Sequence, residues 1–329
     1  QVISTAKQLV SIGKIGLFRA GIWKPRTKPG MFEGVGTVGL EWLKNAKEIT
    51  GLPVTVEVAS TKHIEEALKF NIDVLWIGAR TTVNPFMVQE LADSLKGTNI
   101  PVFIKNPVNP DIELWTGAIE RFQKSGLKTG MIHRGFSNYN KTEFRNQPMW
   151  QIPIEMKRRF PDLLLICDPS HICGRTDLIP KVCQTSIDLD FDGLMIETHP
   201  DPVNALSDKE QQLKPEELKE LLNSLKWRCE KADYIFAEQS TLNKLREQIN
   251  QLDEELLFLM SERMKVADKI GIFKKENNIT ILQVERWNEI LKKGLESSHN
   301  LKLSEAFIKQ YFDAVHIESI NHQNTIMNE

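Results

Sequence analysis

Short apolar runs alternate with amphipathic segments along residues 1–226 of the chain. The runs are rich in β-branched and aliphatic residues, which predicts strands at Ile15–Phe18, Pro53–Val58, Val74–Ile77, Val102–Ile104, Thr129–Ile132, Leu163–Cys167 and Gly193–Ile196. The amphipathic segments repeat apolar residues at helical spacing, which predicts helices at Val2–Val10, Thr37–Thr50, His63–Phe70, Pro85–Leu95, Ile112–Ser125, Met149–Phe160, Leu178–Ile187 and Pro215–Leu225. Because helices follow the strands in turn, we expect parallel strands covered by helices.

A helix precedes the first of the seven predicted strands. We therefore predict an α/β fold of the (β/α)8 TIM-barrel type, with its first strand expected upstream of Gln1. The alternative is an open doubly wound sheet, but the sequence contains no Gly-rich dinucleotide-binding fingerprint to support it.

The pattern changes after the connection at 227–239. Apolar residues then follow a 3-4 spacing, with Arg263 in the one gap, at Leu242, Leu245, Ile249, Leu252, Leu256, Leu259, Val266, Ile270 and Phe273. This predicts a helix of roughly 35 residues that ends at Asn277-Asn278, with shorter helices near Gln283–Ser297 and Ser304–Asn324. Three helices cannot bury the long stripe alone, so we expect an all-α domain over 240–329 that forms a homodimer of intertwined helices. The barrel is expected over 1–226.

Composition narrows the class of protein. The 329 residues contain 42 Lys and Arg against 44 Asp and Glu, which disfavours a general nucleic-acid binder. No apolar run approaches the roughly 20 residues that span a bilayer, and Gln1 opens without a signal-peptide pattern. Cys167, Cys173, Cys183 and Cys229 lack a close-paired zinc spacing. We therefore expect a cytoplasmic protein with small-molecule partners and no nucleic-acid or membrane partner.

Charged side chains follow the predicted strands, at the strand ends that carry the chemistry of a (β/α) barrel. They are Arg19, Lys24, Arg26, Arg80, Lys105, Arg134, His171, Glu197 and, eleven residues after Glu197, Asp208. So many cations at one mouth would repel each other unless they bind anions, and two phosphates with a carboxylate would balance them. His, Glu and Asp side chains add a possible divalent-metal site of mixed nitrogen and oxygen character. We interpret His199 as a supporting or structural histidine.

These motifs, in this order, resemble the type I 3-deoxy-D-arabino-heptulosonate 7-phosphate (DAHP) synthases. The resemblance rests on Arg19 with Lys24-Pro25-Arg26-Thr27, on Gly78-Ala79-Arg80, on Asp168-Pro169-Ser170-His171, and on Glu197 with Asp208. Within that family it is to the branch shared with the Kdo 8-phosphate synthases. The resemblance implies condensation of phosphoenolpyruvate with erythrose 4-phosphate.

The resemblance also implies roles for individual residues. Phosphoenolpyruvate would be bound by Arg19, Lys24, Arg80, Lys105 and Arg134, with Lys24 and Lys105 also catalytic. Arg26 and Thr27 would bind the phosphate of erythrose 4-phosphate. His171, Glu197 and Asp208 would hold one divalent ion such as Mn²⁺. The family's fourth ligand is a cysteine in a segment expected upstream of Gln1, and none of the four cysteines takes its place.

The helical region has a second set of polar residues. Arg263 occupies a seam position, where a charge is costly unless it is paired. Lys274, eleven residues on, lies about 20° away around the helix and shares that face, whereas Arg246 lies about 100° off and could serve a partner subunit. Ser319 and Gln323 are spaced i, i+4 and share one face. The residues alone leave open a simple dimerisation helix with snorkelling arginines.

The same residues resemble the all-helical chorismate mutases over 240–327. By that resemblance Arg246, Arg263 and Arg286 would bind the two carboxylates of chorismate, with Ser319 in the same pocket. Lys274 and Gln323 would be catalytic, donating to the ether oxygen, and no cofactor is needed. Gln283 and Trp287 stand where that family often has an acidic pair, so the resemblance implies the arginine clamp more strongly than recognition of the substrate hydroxyl.

Together the resemblances imply a bifunctional shikimate-pathway enzyme, with feedback inhibition of the synthase through the mutase pocket as a further hypothesis. The alternatives are a Kdo 8-phosphate synthase-like barrel, or an inactive regulatory barrel fused to an active mutase.

Overall fold

The computed structural model describes residues 1–26, 29–139, 142–228 and 236–328, without the side chains of 236–240 and 299. The chain divides into two compact units, residues 1–230 and 231–329. The predicted domain bounds at 226 and 240 stay predictions, because the connection between them lies largely outside the described residues.

The described residues of the first unit contain seven parallel strands in sequential order. They are β1 (Phe18–Arg19), β2 (Val54–Val58), β3 (Val74–Ile77), β4 (Val102–Lys105), β5 (Thr129–His133), β6 (Leu165–Cys167) and β7 (Gly193–Leu194). Each strand pairs with the next, as in the register Thr55↔Val74 between β2 and β3. Among the described residues β1 and β7 do not pair with each other, so the sheet is an open arc of a barrel.

Ten α-helices accompany the strands in the described part of this unit. They are α1 (Val2–Val10), α2 (Val38–Thr50), α3 (Thr61–Lys69), α4 (Ala79–Thr82), α5 (Pro85–Ser94), α6 (Ile112–Lys124), α7 (Gln151–Arg159), α8 (Pro169–Cys173), α9 (Ile179–Asp188) and α10 (Pro215–Ser224). Side-chain caps begin several of them: Ser60 accepts from the His63 amide, and Asp111 accepts from the Leu114 amide. The predicted fold class is confirmed, including strand-helix alternation and parallel pairing.

Two details differ from the prediction. Strands β1 and β7 are two residues each, shorter than predicted, because each has one strand neighbour among the described residues and so lacks a second ladder of hydrogen bonds. The short helices α4 and α8 begin directly after β3 and β6, where the sequence motifs indicated only strand ends.

The second unit is all helical. Helix α11 (Phe236–Glu276) has 41 residues, about 60 Å of helix, and α12 (Val284–Leu301) and α13 (Glu305–Asn328) follow it. Asn278, at φ 55°, lies just beyond the end of α11, where the sequence predicted termination. Met264 and Ala267 of α11 pack with Val315 of α13 in a small core. No helix in the described ranges is long and apolar enough to cross a membrane.

Candidate active sites

Lys105 and Asp168 form a buried ion pair at the ends of β4 and β6. The Lys105 Nζ lies 2.7 Å from an Asp168 carboxylate oxygen, and the Asp168 side chain is fully buried. Asp168 also caps α8 by accepting from the His171 amide at 3.2 Å. Burial alone would raise the pKa of Asp168, but His171 and Lys105 outweigh burial and hold the pKa well below its usual range. Asp168 is therefore a permanent anion at neutral pH.

The same carboxylate orients His171. The Nδ1 atom of His171 lies 3.0 Å from Asp168 Oδ1, which leaves Nε2 as the available ring nitrogen. Burial lowers the pKa of His171, and the attraction of Asp168 offsets this only in part. The Nε2 atom lies 4.0 Å from Glu197 Oε1. An imidazole nitrogen of His171 and a carboxylate oxygen of Glu197 therefore face each other.

Glu197, just beyond β7, is held from three sides. Its Oε1 accepts from Arg19 of β1 at 2.5 Å, its Oε2 accepts from Gln211 at 2.8 Å, and its amide donates to Ser170 Oγ at 3.0 Å. Burial raises the pKa of Glu197, but the charges of His171 and Arg19 outweigh it and the pKa is lowered. The Arg19–Glu197 pair links the two edge strands of the open sheet.

Asp208 lies in a loop at the same mouth, with its backbone in the left-handed region at φ 53°. Its carboxylate lies 3.2 Å from Arg26, 3.3 Å from Arg145 and 3.7 Å from Lys24. Burial raises the pKa of Asp208, but these three cations outweigh it and lower the pKa to about 2. The anionic charge of Asp208 is thus matched by three cations.

The remaining predicted cations differ in burial. Arg134 is buried and donates to Asn146 Oδ1 at 2.8 Å, and burial lowers its pKa to about 10, which still leaves it charged at neutral pH. Burial also lowers the pKa of Lys24, whose Nζ donates to Ser207 Oγ at 2.9 Å. Arg80 is exposed on α4 and close enough for its charge to lower the pKa of Arg134. Thr27 lies outside the described residues.

Two residues on the inner face of the sheet were missed by the sequence reasoning. The Trp76 ring lies 5.4 Å from the Arg19 guanidinium and 5.9 Å from Lys105 Nζ, and its Nε1 donates to Glu57 at 3.3 Å. Burial raises the pKa of Glu57, against the attraction of Lys105 and Arg19. A Cβ on Gly78 would overlap the Glu57 carboxylate, so any larger residue there would require the Glu57 side chain to move. Glu57 lies inside a strand run, where a sequence offers no sign of an inward-facing acid.

Arg145 and Gln211 were also missed, because neither follows a predicted strand. Arg145 NH1 donates to Gln211 Oε1 at 2.7 Å and reaches Asp208, while Gln211 reaches Glu197. His199 accepts from the Asp201 amide through Nδ1 at 3.0 Å. This local backbone contact agrees with its interpretation as a structural histidine.

His171 and Glu197 fit a divalent ion as a pair of ligands. One ring nitrogen is oriented by Asp168 and the other faces a carboxylate oxygen, the arrangement that metal-binding histidines adopt. Within the described ranges no group of three or more His, Cys, Asp and Glu side chains is arranged to hold a metal, and Asp208 faces cations instead. The free cysteines of the described chain are buried at Cys167, Cys173 and Cys183, and Cys229 lies outside it.

In the helical unit, Arg263, Ser319 and Gln323 of the predicted second site lie together. Arg263 NH1 donates to Ser319 Oγ at 2.5 Å, and Gln323 Nε2 donates to the Ser319 carbonyl at 3.1 Å. Gln323 is buried, and its Oε1 has no hydrogen-bond partner among the residues that the structure describes. Lys274 is buried as well and donates to the Ile281 carbonyl at 2.6 Å. Burial lowers the pKa of Lys274.

A cavity of about 320 Å³ in this unit includes Lys274, Phe273 and Gln283 in its lining. Trp287 stacks on His316, with ring centroids 4.2 Å apart. Arg246 and Arg286 do not join the group formed by Arg263, Ser319 and Gln323. Arg286 pairs with Glu289 on the surface. Arg246 is exposed and lies about 25 Å along α11 from Arg263. Much of the α11 apolar stripe is exposed, including Leu252, Leu256 and Leu259.

Comparisons with known proteins match these two regions separately. A family model described as the DAHP synthetase I family matches residues 1–232, and one described as chorismate mutase type II matches residues 245–324. A phospho-2-dehydro-3-deoxyheptonate aldolase of Thermotoga maritima is 32% identical over 226 residues, covering 68% of this chain and 64% of that protein. A bifunctional chorismate mutase/prephenate dehydratase of Aquifex aeolicus is 44% identical over 54 residues, covering 16% of this chain and 15% of that protein.

A crystal structure of a Thermotoga maritima DAHP synthase superposes with a TM-score of 0.59 at 30% identity. The superposition covers 67% of this chain and 62% of that chain. The chain thus spans slightly less than two thirds of these relatives.

Proposed function

The chain belongs to the DAHP synthetase I family through residues 1–232, and on that premise we propose that it is a bifunctional shikimate-pathway enzyme. The barrel would condense phosphoenolpyruvate with erythrose 4-phosphate, releasing DAHP and phosphate. The helical domain, matched by the chorismate mutase type II model, would rearrange chorismate to prephenate. One observation supports the first activity most strongly: Arg19, Lys24, Lys105 and Arg134 lie with limited exposure around one barrel mouth.

The charges of that mouth suit a doubly anionic substrate. Arg134 has no carboxylate within ion-pair distance among the described residues, and Arg80 is exposed nearby on α4. We assign Arg19, Lys24, Arg80, Lys105 and Arg134 to the phosphate and carboxylate of phosphoenolpyruvate, and Arg26 with Thr27 to the aldehyde's phosphate. Planar guanidinium groups suit such anions because they bind two oxygens at once.

In the proposed reaction, carbon three of phosphoenolpyruvate attacks the aldehyde carbon, water adds at carbon two, and phosphate leaves. Fixing both substrates by their anionic groups places the reacting carbons together, which lowers the entropic barrier. Lys24 and Lys105 are the cations we place beside the reacting atoms. His171 and Glu197, with Asp208 as a third candidate, would hold a divalent ion such as Mn²⁺. When bound, that ion would polarise the aldehyde carbonyl or orient water.

In the helical domain, Arg263 and Arg286 with Arg246 of a second copy would bind the two carboxylates of chorismate. Lys274 and Gln323 would stabilise the negative charge that develops on the ether oxygen, and Ser319 would hold Arg263 in place. No cofactor is required. The distance along α11 between Arg246 and Arg263 and the exposed apolar stripe support a homodimer through these helices. We place the enzyme in the cytoplasm.

A chelation experiment tests the two activities together. Full-length protein treated with EDTA should lose phosphoenolpyruvate consumption and keep chorismate consumption, because the helical site contains none of the proposed metal ligands. Erythrose 4-phosphate should be the preferred aldehyde. Preference for arabinose 5-phosphate would favour the Kdo 8-phosphate synthase alternative, and no consumption of either by Mn²⁺-supplied protein would favour an inactive barrel. Equal loss of both activities in EDTA would contradict two independent chemistries.

A further inference from the structure

Gln211 has a buried polar side chain, and the proposed binding of the two substrates assigns no role to it. It is 1% exposed and belongs to a short 3-10 turn at Lys209–Gln211 that follows Asp208. A buried amide is costly unless both its donor and its acceptor are satisfied. In Gln211 both are satisfied, and by different partners. Its Nε2 donates to Glu197 Oε2 at 2.8 Å, and its Oε1 accepts from Arg145 NH1 at 2.7 Å.

Two backbone hydrogen bonds place the Gln211 amide group beside Glu197. The Leu213 amide donates to the Glu197 carbonyl at 3.0 Å, and the His199 amide donates to the Leu213 carbonyl at 2.9 Å. These two bonds form a parallel bridge between the segment after β7 and the segment containing Gln211. The register brings the Gln211 side chain to the far oxygen of the Glu197 carboxylate, opposite the oxygen that faces His171.

We infer that Gln211 is a positioning residue that fixes the rotation of the Glu197 carboxylate, and that Arg145 fixes Gln211 in turn. Gln211 holds Oε2 while Arg19 donates to Oε1, and in this rotation of the carboxylate Oε1 also lies 4.0 Å from His171 Nε2. Arg145 NH1 also lies 3.3 Å from Asp208 Oδ1, so one Arg–Gln pair joins the carboxylates of Glu197 and Asp208. The inference rests on the proposed assignment of His171 and Glu197 as metal ligands. Partners that orient ligands in this way typically contribute about 10–100-fold to metal affinity.

The test measures Mn²⁺ binding by full-length protein, with titration calorimetry or the electron paramagnetic resonance signal of free Mn²⁺. Gln211→Met keeps the length of the side chain and removes both hydrogen bonds. We expect its Kd for Mn²⁺ to rise about 10–100-fold. Gln211→Asn keeps the amide but is one methylene too short to reach both partners, so it should also bind more weakly.

The matched control is Gln184→Met on α9. Gln184 also bridges two partners, the Asp188 carboxylate and the backbone of Lys226, but it lies away from the mouth residues. Its variant removes the hydrogen bonds of a glutamine elsewhere in the same unit and should bind Mn²⁺ as the wild type does. A purely structural role for Gln211 would lower Tm without changing Kd, so the two readouts separate the explanations.

Unchanged Mn²⁺ affinity in folded Gln211→Met would overturn the inference while the metal assignment stands. If circular dichroism shows that this variant does not fold, Gln211→Asn decides by the same criterion. Failure of the wild type itself to bind Mn²⁺ would overturn the metal assignment and the inference together, so the two failures are distinguishable.

Discussion

Asp168→Asn should destabilise the barrel unit by removing the counter-ion of buried Lys105. Breaking a buried ion pair by neutralising one partner typically costs 3–5 kcal/mol of unfolding free energy, roughly, because a buried charge is left uncompensated. We expect about 3 kcal/mol, the lower end, because asparagine still accepts a hydrogen bond from Lys105. For a unit of this size that corresponds to a fall in Tm of about 6–12 °C.

Urea unfolding followed by tryptophan fluorescence measures the unfolding free energy of the barrel unit. Six of the seven tryptophans precede residue 231, and only Trp287 lies in the helical unit. The double variant with Lys105→Met should recover most of the loss, because neither charge is then buried alone. A loss below about 1 kcal/mol, the value of a solvent-screened surface pair, or a double variant no more stable than Asp168→Asn, would refute the reasoning.

The pH dependence of the same comparison has a definite sign. The folded-state pKa of Asp168 lies well below its usual value, so its contribution is present above the unfolded pKa of about 3.9. That contribution is lost as pH falls through the folded pKa. The difference in unfolding free energy between wild type and Asp168→Asn should therefore be constant from pH 7 to pH 5 and shrink below pH 4. A difference that grew on acidification would contradict the ion-pair explanation.

Three further predictions concern the proposed substrates. Arg26→Ala should raise the KM for the sugar phosphate, and Arg80→Ala should impair phosphoenolpyruvate use. Each loses a charge-assisted hydrogen bond worth about 1.5–3 kcal/mol. If steady-state kinetics show an unchanged sugar-phosphate KM in Arg26→Ala, the assignment of Arg26 is wrong. Arg263→Ala should abolish mutase activity and, if prephenate inhibits the synthase through the mutase pocket, relieve that inhibition; identical inhibition curves, or none in either protein, would reject the feedback hypothesis. Because burial lowers the pKa of Lys274 from 10.5, mutase activity should fall as pH rises through that lowered pKa, and a rate that stays flat to pH 10.5 would exclude Lys274 as the charged donor.

Much of the architecture was predictable because it depends on local periodicity. Val54–Val58 and Val74–Ile77 are strand-length apolar runs, and α11 repeats apolar residues at 3-4 spacing for more than thirty residues, so their type follows from which faces can be buried. The lengths of β1 and β7 were not predictable, because a strand extends only as far as its neighbours supply hydrogen bonds.

In the barrel, residue pattern alone indicated the candidate site only where charged side chains follow a strand end. Lys105, Arg134, His171 and Glu197 follow strands, and parallel strands bring their carboxyl ends to one edge whatever the loops do. Arg145 and Gln211 lie in loops, and their places depend on the backbone bridge at Leu213 and the partners they meet. The roles assigned to these residues stay predictions until variants are measured.

The sequence by itself determined the two kinds of unit, the order of their elements and the residue types available at the barrel mouth, because periodicity, spacing and charge are properties of the chain. Only the tertiary structure decided which charges meet. It pairs Lys105 with Asp168 over 63 residues of separation, turns His171 toward Glu197, and surrounds Asp208 with three cations. Those pairings, and the pKa shifts that follow from them, depend on distance and burial in three dimensions, which no pattern along the chain contains.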